Sequence, residues 1–360
     1  MTYETLTLHG EQDAAEGLFD AKPHTVKTEV GDVPIDAAQR FRQFLVYMKP
    51  IMPFYSMPGV TEIMVNRFDS IFVEENGHKI KTEATFQSNE AVENVATMLA
   101  LALDQVYDDA HPILHARLPD CSRFCCVRST IATGGASITI RIAPKTTLTS
   151  QDLLTKGAMS QDMLNYIRMV VDQGANIIVS GSTGSGKTTL LRMLAEFIDP
   201  ELRVITCEDT QELYLNLPNT IPLEAPKRRF EAGEEVNLST LIKTTLRQAP
   251  DRIWVGEIRD AAAADAFLQA INTGHNGCAT TIHSNGCLDT VERIQYLLAS
   301  SGLLSYELTR KVLLGNVNVL IHAAKTRKHG RRITEIMKIS NEQIQPLFLF
   351  DETKGEHICV

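Results

Sequence analysis

The chain has 360 residues, 44% of them apolar, with 35 basic against 44 acidic side chains and a formal net charge of −9. That length suits two ordinary domains with cores of their own, and the acidic balance argues against a broad nucleic-acid surface while leaving room for a local basic groove. No apolar run reaches membrane-spanning length and the N-terminus lacks a signal pattern, so a cytoplasmic protein without a transmembrane segment is expected, with any membrane association made through partners.

Residues 1–36 are acidic and polar, and read as a poorly ordered tail or an interaction arm. From 37 to 142 the pattern is mixed. Phe41, Leu45, Val46 and Met48 space an amphipathic helix over 37–52. Val60–Val65 and Ser70–Glu74 read as strands, and Asn76-Gly77 is a tight-turn signal that returns the chain through Lys79-Ile80. A helix is expected over 90–106, a hairpin from Ile113–Leu118 to Arg123–Ile131, and a half-exposed strand over Ser137–Ile142. This is a small α+β domain. Residues 143–155, which open with Pro, Lys, Thr and Ser, read as a linker.

From 156 to 360 the chain alternates. Helices are expected at 160–173, 187–198, 238–248 and 261–272, and strands at 175–180, 202–206, 252–256 and 278–282. Such alternation implies α/β architecture, a parallel sheet with helices on its faces. Of the seven cysteines, Cys121, Cys125 and Cys126 lie close together without a second pair at ligand spacing. Buried or structural thiols are favoured over a metal or redox site.

Gly181-Ser182-Thr183-Gly184-Ser185-Gly186-Lys187-Thr188 carries the chemistry. Its glycines let the backbone curl so that successive N–H groups face one anion. Lys187 supplies a cation for the β- and γ-phosphates, Thr188 a hydroxyl for Mg²⁺, and the helix that starts there the positive end of its dipole. The apolar run before the loop and the helical spacing after it, from Thr189 onward, are the required setting. ATP and Mg²⁺ are therefore the expected ligands.

Arg252–Glu257 is an apolar strand ending in a carboxylate, where a nucleotide-hydrolysing loop fold needs one to hold the metal or its water. Asp260 reads as the cap of the next helix. Glu208 ends another strand; it either orients and deprotonates the attacking water or belongs to a solvated acidic turn. His275 and His283 flank a short strand among Gly, Thr, Ser and Asn, as at the edge of a site.

The segments GSTGSGKTT (181–189), ITCEDTQEL (205–213), LRQAPDRIWVGEIRD (246–260) and TGHNGCATTIHSN (273–285) resemble, in order, the four signature boxes of the bacterial secretion-ATPase superfamily. GVTEIMVN (59–66), ARLPDCSR (116–123) and SITIR (137–141) resemble its conjugation and type IV secretion branch. Cys121 departs from the family's Pro-Asp-Gly turn, and Thr210 stands where many relatives have Pro. The resemblance implies an N-terminal domain and a RecA-like P-loop domain in a two-tiered homo-hexamer, working with inner-membrane components of a secretion or conjugation apparatus. It implies that Lys187 and Thr188 bind phosphates and Mg²⁺, that Glu257 serves the metal and Glu208 the water, and that Arg123 and Arg141 reach the nucleotide from the first domain. Exposed strand charge is the plainer account of both arginines. A related pilus or type II secretion motor, a motor acting directly on nucleic acid, and a scaffold with a dead site are the competing readings. The acidic charge disfavours direct nucleic-acid binding, and intact Lys187, Thr188, Glu208 and Glu257 disfavour the scaffold.

Overall fold

A computed structural model describes residues 25–28, 31–34, 38–143, 148–226 and 236–360, and the chain divides into two compact units, Met1–Lys145 and Thr146–Val360. The tail read at 1–36 lies outside the described residues except for two short strands, β1 (Thr25–Thr28) and β2 (Gly31–Pro34), which pair antiparallel.

The first unit continues with α1 (Ala38–Met48), α2 (Met52–Tyr55), β3 (Val60–Arg67), β4 (Ser70–Glu75), β5 (His78–Lys81), α3 (Asn89–Ala102), β6 (Ile113–Arg117), β7 (Arg123–Val127) and β8 (Ser137–Arg141). The last six strands named form one antiparallel sheet in the order β5-β4-β3-β8-β7-β6. Side chains alternate across it as the period-2 pattern requires. Phe124 and Cys126, Ile138 and Ile140, Ile63 and Val65 turn to one face and pack with Phe41, Phe44 and Met48 of α1 and Val95 and Leu99 of α3. Ser88 caps α3, accepting the Ala91 N–H at 3.2 Å. That helix ends sooner than its pattern suggests, at Ala102, because Asp104 turns left-handed at φ 50°. Asn76 (φ 50°) and Gly77 (φ 84°) make the expected tight turn.

In the turn between β6 and β7, Cys121 takes the left-handed region at φ 72°. Asp120 holds it there. One carboxylate oxygen accepts the Ser122 N–H at 3.0 Å, and the other accepts the Ser122 hydroxyl at 3.0 Å and the Tyr55 hydroxyl at 2.5 Å.

The second unit comprises α4 (Ser150–Thr155), α5 (Gln161–Asp172), β9 (Ile177–Ser180), α6 (Lys187–Leu194), β10 (Val204–Glu208), β11 (Thr220–Glu224), α7 (Leu238–Thr245), β12 (Arg252–Ile258), α8 (Ala261–Asn272), β13 (Ala279–Ile282), α9 (Cys287–Ser300), α10 (Tyr306–Asn316), β14 (Val319–Thr326), β15 (Gly330–Ser340), β16 (Gln343–Asp351) and β17 (Glu356–Cys359). The end of the expected linker is thus helical: Thr149 and Asp152 close a reciprocal capping box at the start of α4. Residues 144–147 of it lie outside the described residues.

All of these strands form one sheet in the order β11-β10-β12-β13-β9-β14-β15-β16-β17. It is parallel from β11 to β14 and antiparallel beyond. Both faces of the parallel part are covered, so β9, β10 and β13 are buried at every residue, their threonines included. Alternate residues of β9 serve two separate cores: Ile178 joins Val255, Phe267 and Ile294, while Ile177 and Val179 join Leu191, Trp254 and Ile321.

Buried Asn176 stitches the beginnings of three strands together just before β9. Its side-chain oxygen accepts the Cys278 N–H (2.9 Å), its amide donates to Asn316 O (2.9 Å), and its backbone N–H donates to Asn318 Oδ1 (2.7 Å).

Candidate active site

In a parallel sheet every strand points the same way, so the loops leaving the carboxyl ends share one edge. Here that edge carries the 181–188 loop after β9, Glu208 at the end of β10, Glu257 near the end of β12 and His283 just after β13.

The loop is possible only with glycine where it has glycine. Gly181 (φ 151°), Gly184 (φ 73°) and Gly186 (φ 102°) all lie at positive φ. A Cβ at Gly181 would stand 2.1 Å from Ala323 O and 2.5 Å from Ser185 Oγ, so β14 closes on the loop from the side. The buried Ser185 hydroxyl has no hydrogen-bond partner among the described residues. Gly186 precedes α6, whose first residues are Lys187, Thr188 and Thr189. A tight cradle of left-handed glycines, a spare hydroxyl and a helix N-terminus fit a bound phosphate.

Lys187 is buried at 7% exposure, and burial pulls its pKa down while Glu257 pushes the other way. Its ammonium donates to Gly181 O (2.9 Å), Ser182 O (3.0 Å) and His283 Nδ1 (3.2 Å). A charged ammonium only donates, so His283 Nδ1 is the acceptor in that contact. The other ring nitrogen, Nε2, stands 2.7 Å from Glu257 Oε1. The imidazole thus lies between the lysine that opens α6 and the carboxylate near the end of β12. The second Glu257 oxygen receives Arg259, through Nε at 2.7 Å and Nη2 at 2.5 Å. Thr188 donates to Glu212 Oε2 at 3.2 Å, which sets a further carboxylate beside the hydroxyl expected at a metal.

Glu208 is not on a solvated acidic turn: it is buried at 2% exposure. Oε1 accepts the backbone N–H groups of Glu212 (2.8 Å) and Leu213 (3.0 Å), and Oε2 accepts Leu213 at 3.2 Å. Burial raises its pKa to about 7, against those amide bonds, which favour the charged form. Gly256 on β12 makes room for it, since a Cβ there would meet Glu208 Cγ at 2.8 Å.

Asp260 is the cap it was read to be, accepting the Ala263 N–H at 2.8 Å at the start of α8. His275 does not join the site edge within this unit. It precedes β13 where His283 follows it, which puts the two histidines at opposite ends of a strand; its Nδ1 stands 3.3 Å from Ala270 O. Arg123 and Arg141 lie directly opposite each other on β7 and β8 of the first unit, with Arg117 of β6 next in the row.

Sequence reasoning missed Glu212, Arg259, Gly256 and Arg331. Glu212 and Arg259 were visible as charges inside the acidic-strand motifs. Arg331 had no local signal; its Nε donates to Gly184 O at 2.8 Å across 147 positions. The cysteines cluster only in sequence: Cys126 is buried against the Tyr107 hydroxyl at 3.2 Å, while Cys125 points to the opposite face.

A glycine cradle, a buried lysine and acids at neighbouring strand ends define a phosphate-binding α/β protein of the nucleotide-hydrolysing class. Comparison with known proteins agrees. The family model described as "Type II/IV secretion system protein" matches residues 46–345. The chain is 36% identical over 284 residues to the conjugal transfer protein TrbB of Rhizobium radiobacter, covering 78% of this chain and 84% of that one. It is 31% identical over 335 residues to the type IV secretion system protein VirB11 of Brucella suis biovar 1, covering 84% and 92%. The solved structure of the pilus retraction motor PilT with bound ADP matches with a TM-score of 0.59 at 20% identity, covering 83% of both chains, a likeness of fold. The chain belongs to the Type II/IV secretion system protein family and is an ATPase. Among the described residues no helix is long and apolar enough to cross a membrane.

Proposed function

We propose that this chain is the hexameric ATPase of a type IV secretion or conjugal-transfer apparatus, working at the cytoplasmic face of the inner membrane through partners that span it. The second unit is read as the RecA-like motor domain, and hydrolysis as the event that moves the first unit relative to it. Relatives above 30% identity carry conjugation and type IV secretion names, which favours this branch over pilus motors matched at 20%.

One observation carries the reading: the three N–H bonds of Lys187 are shared between the loop and His283, and His283 in turn faces Glu257. A phosphate seated in the loop takes at least one of those bonds. The bond to His283 is the one whose loss is felt at a second strand end, so His283 reports the γ-phosphate to Glu257. Thr188 and Glu257, with Glu212 behind Thr188, would hold Mg²⁺, which when bound neutralises charge on the β- and γ-phosphates. Glu208, with a pKa near neutrality, accepts the proton of the attacking water. Arg123 and Arg141 supply phosphate-neutralising charge from the first unit.

ATP turnover by wild type against Lys187→Ala tests the site. Loss of about a hundred-fold or more, with an unchanged melting temperature, is expected; equal turnover refutes the site. Solution mass with nucleotide tests the ring, and a strict monomer at high concentration refutes it.

A further inference from the structure

The tip of the β14–β15 hairpin reads Lys325-Thr326-Arg327-Lys328-His329-Gly330-Arg331-Arg332, a dense basic run in a chain of net charge −9. The tip is built to hold its shape. The Thr326 hydroxyl accepts the His329 N–H at 3.0 Å and donates to Gly330 O at 3.0 Å, and Gly330 supplies the left-handed residue (φ 73°) that the return requires. Lys325 and Arg331 then face each other across the ladder. Arg332, the next residue, points to the opposite face, 3.4 Å from where a Cβ on Gly157 would stand.

Arg331 leans over the phosphate loop. Its Cδ lies 3.6 Å from where a Cβ on Gly186 would stand, and its Nε donates to Gly184 O at 2.8 Å. The side chain therefore spans two of the loop's left-handed glycines. These are the positions with the greatest freedom to be lost on ordering, because glycine populates both halves of φ space. Beyond the Gly184 bond, the Arg331 side chain makes no hydrogen bond or ion pair to the described residues, so its Nη groups keep their donors beside the cradle.

The geometry points to Arg331 as a positioning residue for nucleotide binding. It clamps the loop from outside in its phosphate-ready curl, so that the cost of ordering Gly184 and Gly186 is met before the nucleotide arrives. It adds positive potential without touching the bond that breaks. Because the clamp comes from a hairpin rather than from the loop or its helix, the register of β14 and β15 sets the affinity of the site.

This inference rests on the reading of 181–188 as the nucleotide site, and the experiment separates the two. Titration of the full-length protein with a fluorescent ADP analogue gives Kd, and steady-state ATP turnover gives KM and kcat. Arg331→Ala should weaken Kd and raise KM by roughly ten-fold, the value of one charge-assisted hydrogen bond, with kcat within about two-fold and an unchanged melting temperature of the ligand-free protein. Arg331→Lys keeps the charge and one donor, and should recover part of the loss. Arg332→Ala, on the other face of the same strand, should leave Kd unchanged. An unaltered Kd in Arg331→Ala overturns the clamp, as does an equal loss in Arg332→Ala, which would mark general loosening of the hairpin. A wild type that binds no analogue defeats the nucleotide site itself.

Discussion

The two sheets bury their strands differently, and that decides where each can carry chemistry. The antiparallel sheet of the first unit packs one face on α1 and α3. Charged residues point to its other side, as in the row Arg117, Arg123, Arg141. The parallel sheet of the second unit is covered on both faces, so its strands offer chemistry only where they stop. Glu208, Glu257 and His283 sit at or just past strand ends, and Lys187 opens the helix that follows β9. Side chains that point away from the core can be exchanged at small cost to the fold, whereas those at the covered strand ends are tied to the core.

The sharpest way to break this contrast is Glu208→Gln. It should lower kcat by about 10²–10⁴-fold if Glu208 takes the proton. Because burial raises the Glu208 pKa to about 7, and only the ionised form accepts a proton, wild-type kcat/KM should fall as pH drops through about 7. That acid limb should vanish in the variant; its survival would assign the proton elsewhere. Gly256→Ala comes next. The added methyl meets Glu208 Cγ at 2.8 Å, so overpacking should cost about 1–3 kcal/mol in a denaturant melt and depress turnover with it. At exposed Arg141 on the first sheet, Arg141→Ala should shift stability by less than about 0.5 kcal/mol while slowing ATP turnover; a large loss of stability with normal turnover would make it an ordinary structural residue. The smallest effect is a gain. Cys121→Gly relieves a left-handed non-glycine residue and should raise stability by up to about 1 kcal/mol, read as a higher melting temperature.

Local chemistry made half of this molecule legible. The 181–188 loop, the hairpin at Asn76-Gly77, the cap at Asp260 and the strand at 252–256 each announce themselves within a few residues. What was not legible is non-local. The strong local signals stop short of helices α9 and α10 and the strands from β14 onward, although β14 lies beside β9 and shuts the phosphate loop through Ala323. Nothing near residue 323 indicates a partner at 181. The helix α4 was legible but overlooked: Thr149 with Asp152 three residues on is a capping signal inside a segment read as linker. Glu208 shows the same limit in another form. Its carboxylate was plain, but whether it met water or backbone amides depended on the fold of 209–213 and on a glycine in the neighbouring strand.

Asn176 lies at the edge of the sheet far from all of this, yet it works as a datum line. Two of its bonds tie the foot of β9 to the feet of β13 and β14, the third ties it to the end of α10, and parallel strands of fixed rise then carry that alignment to the opposite edge. The loops at the working edge therefore start from points that are measured at the other end. The sheet divides its labour between its two edges: one keeps the measure, and the other holds the glycines and acids whose places that measure sets.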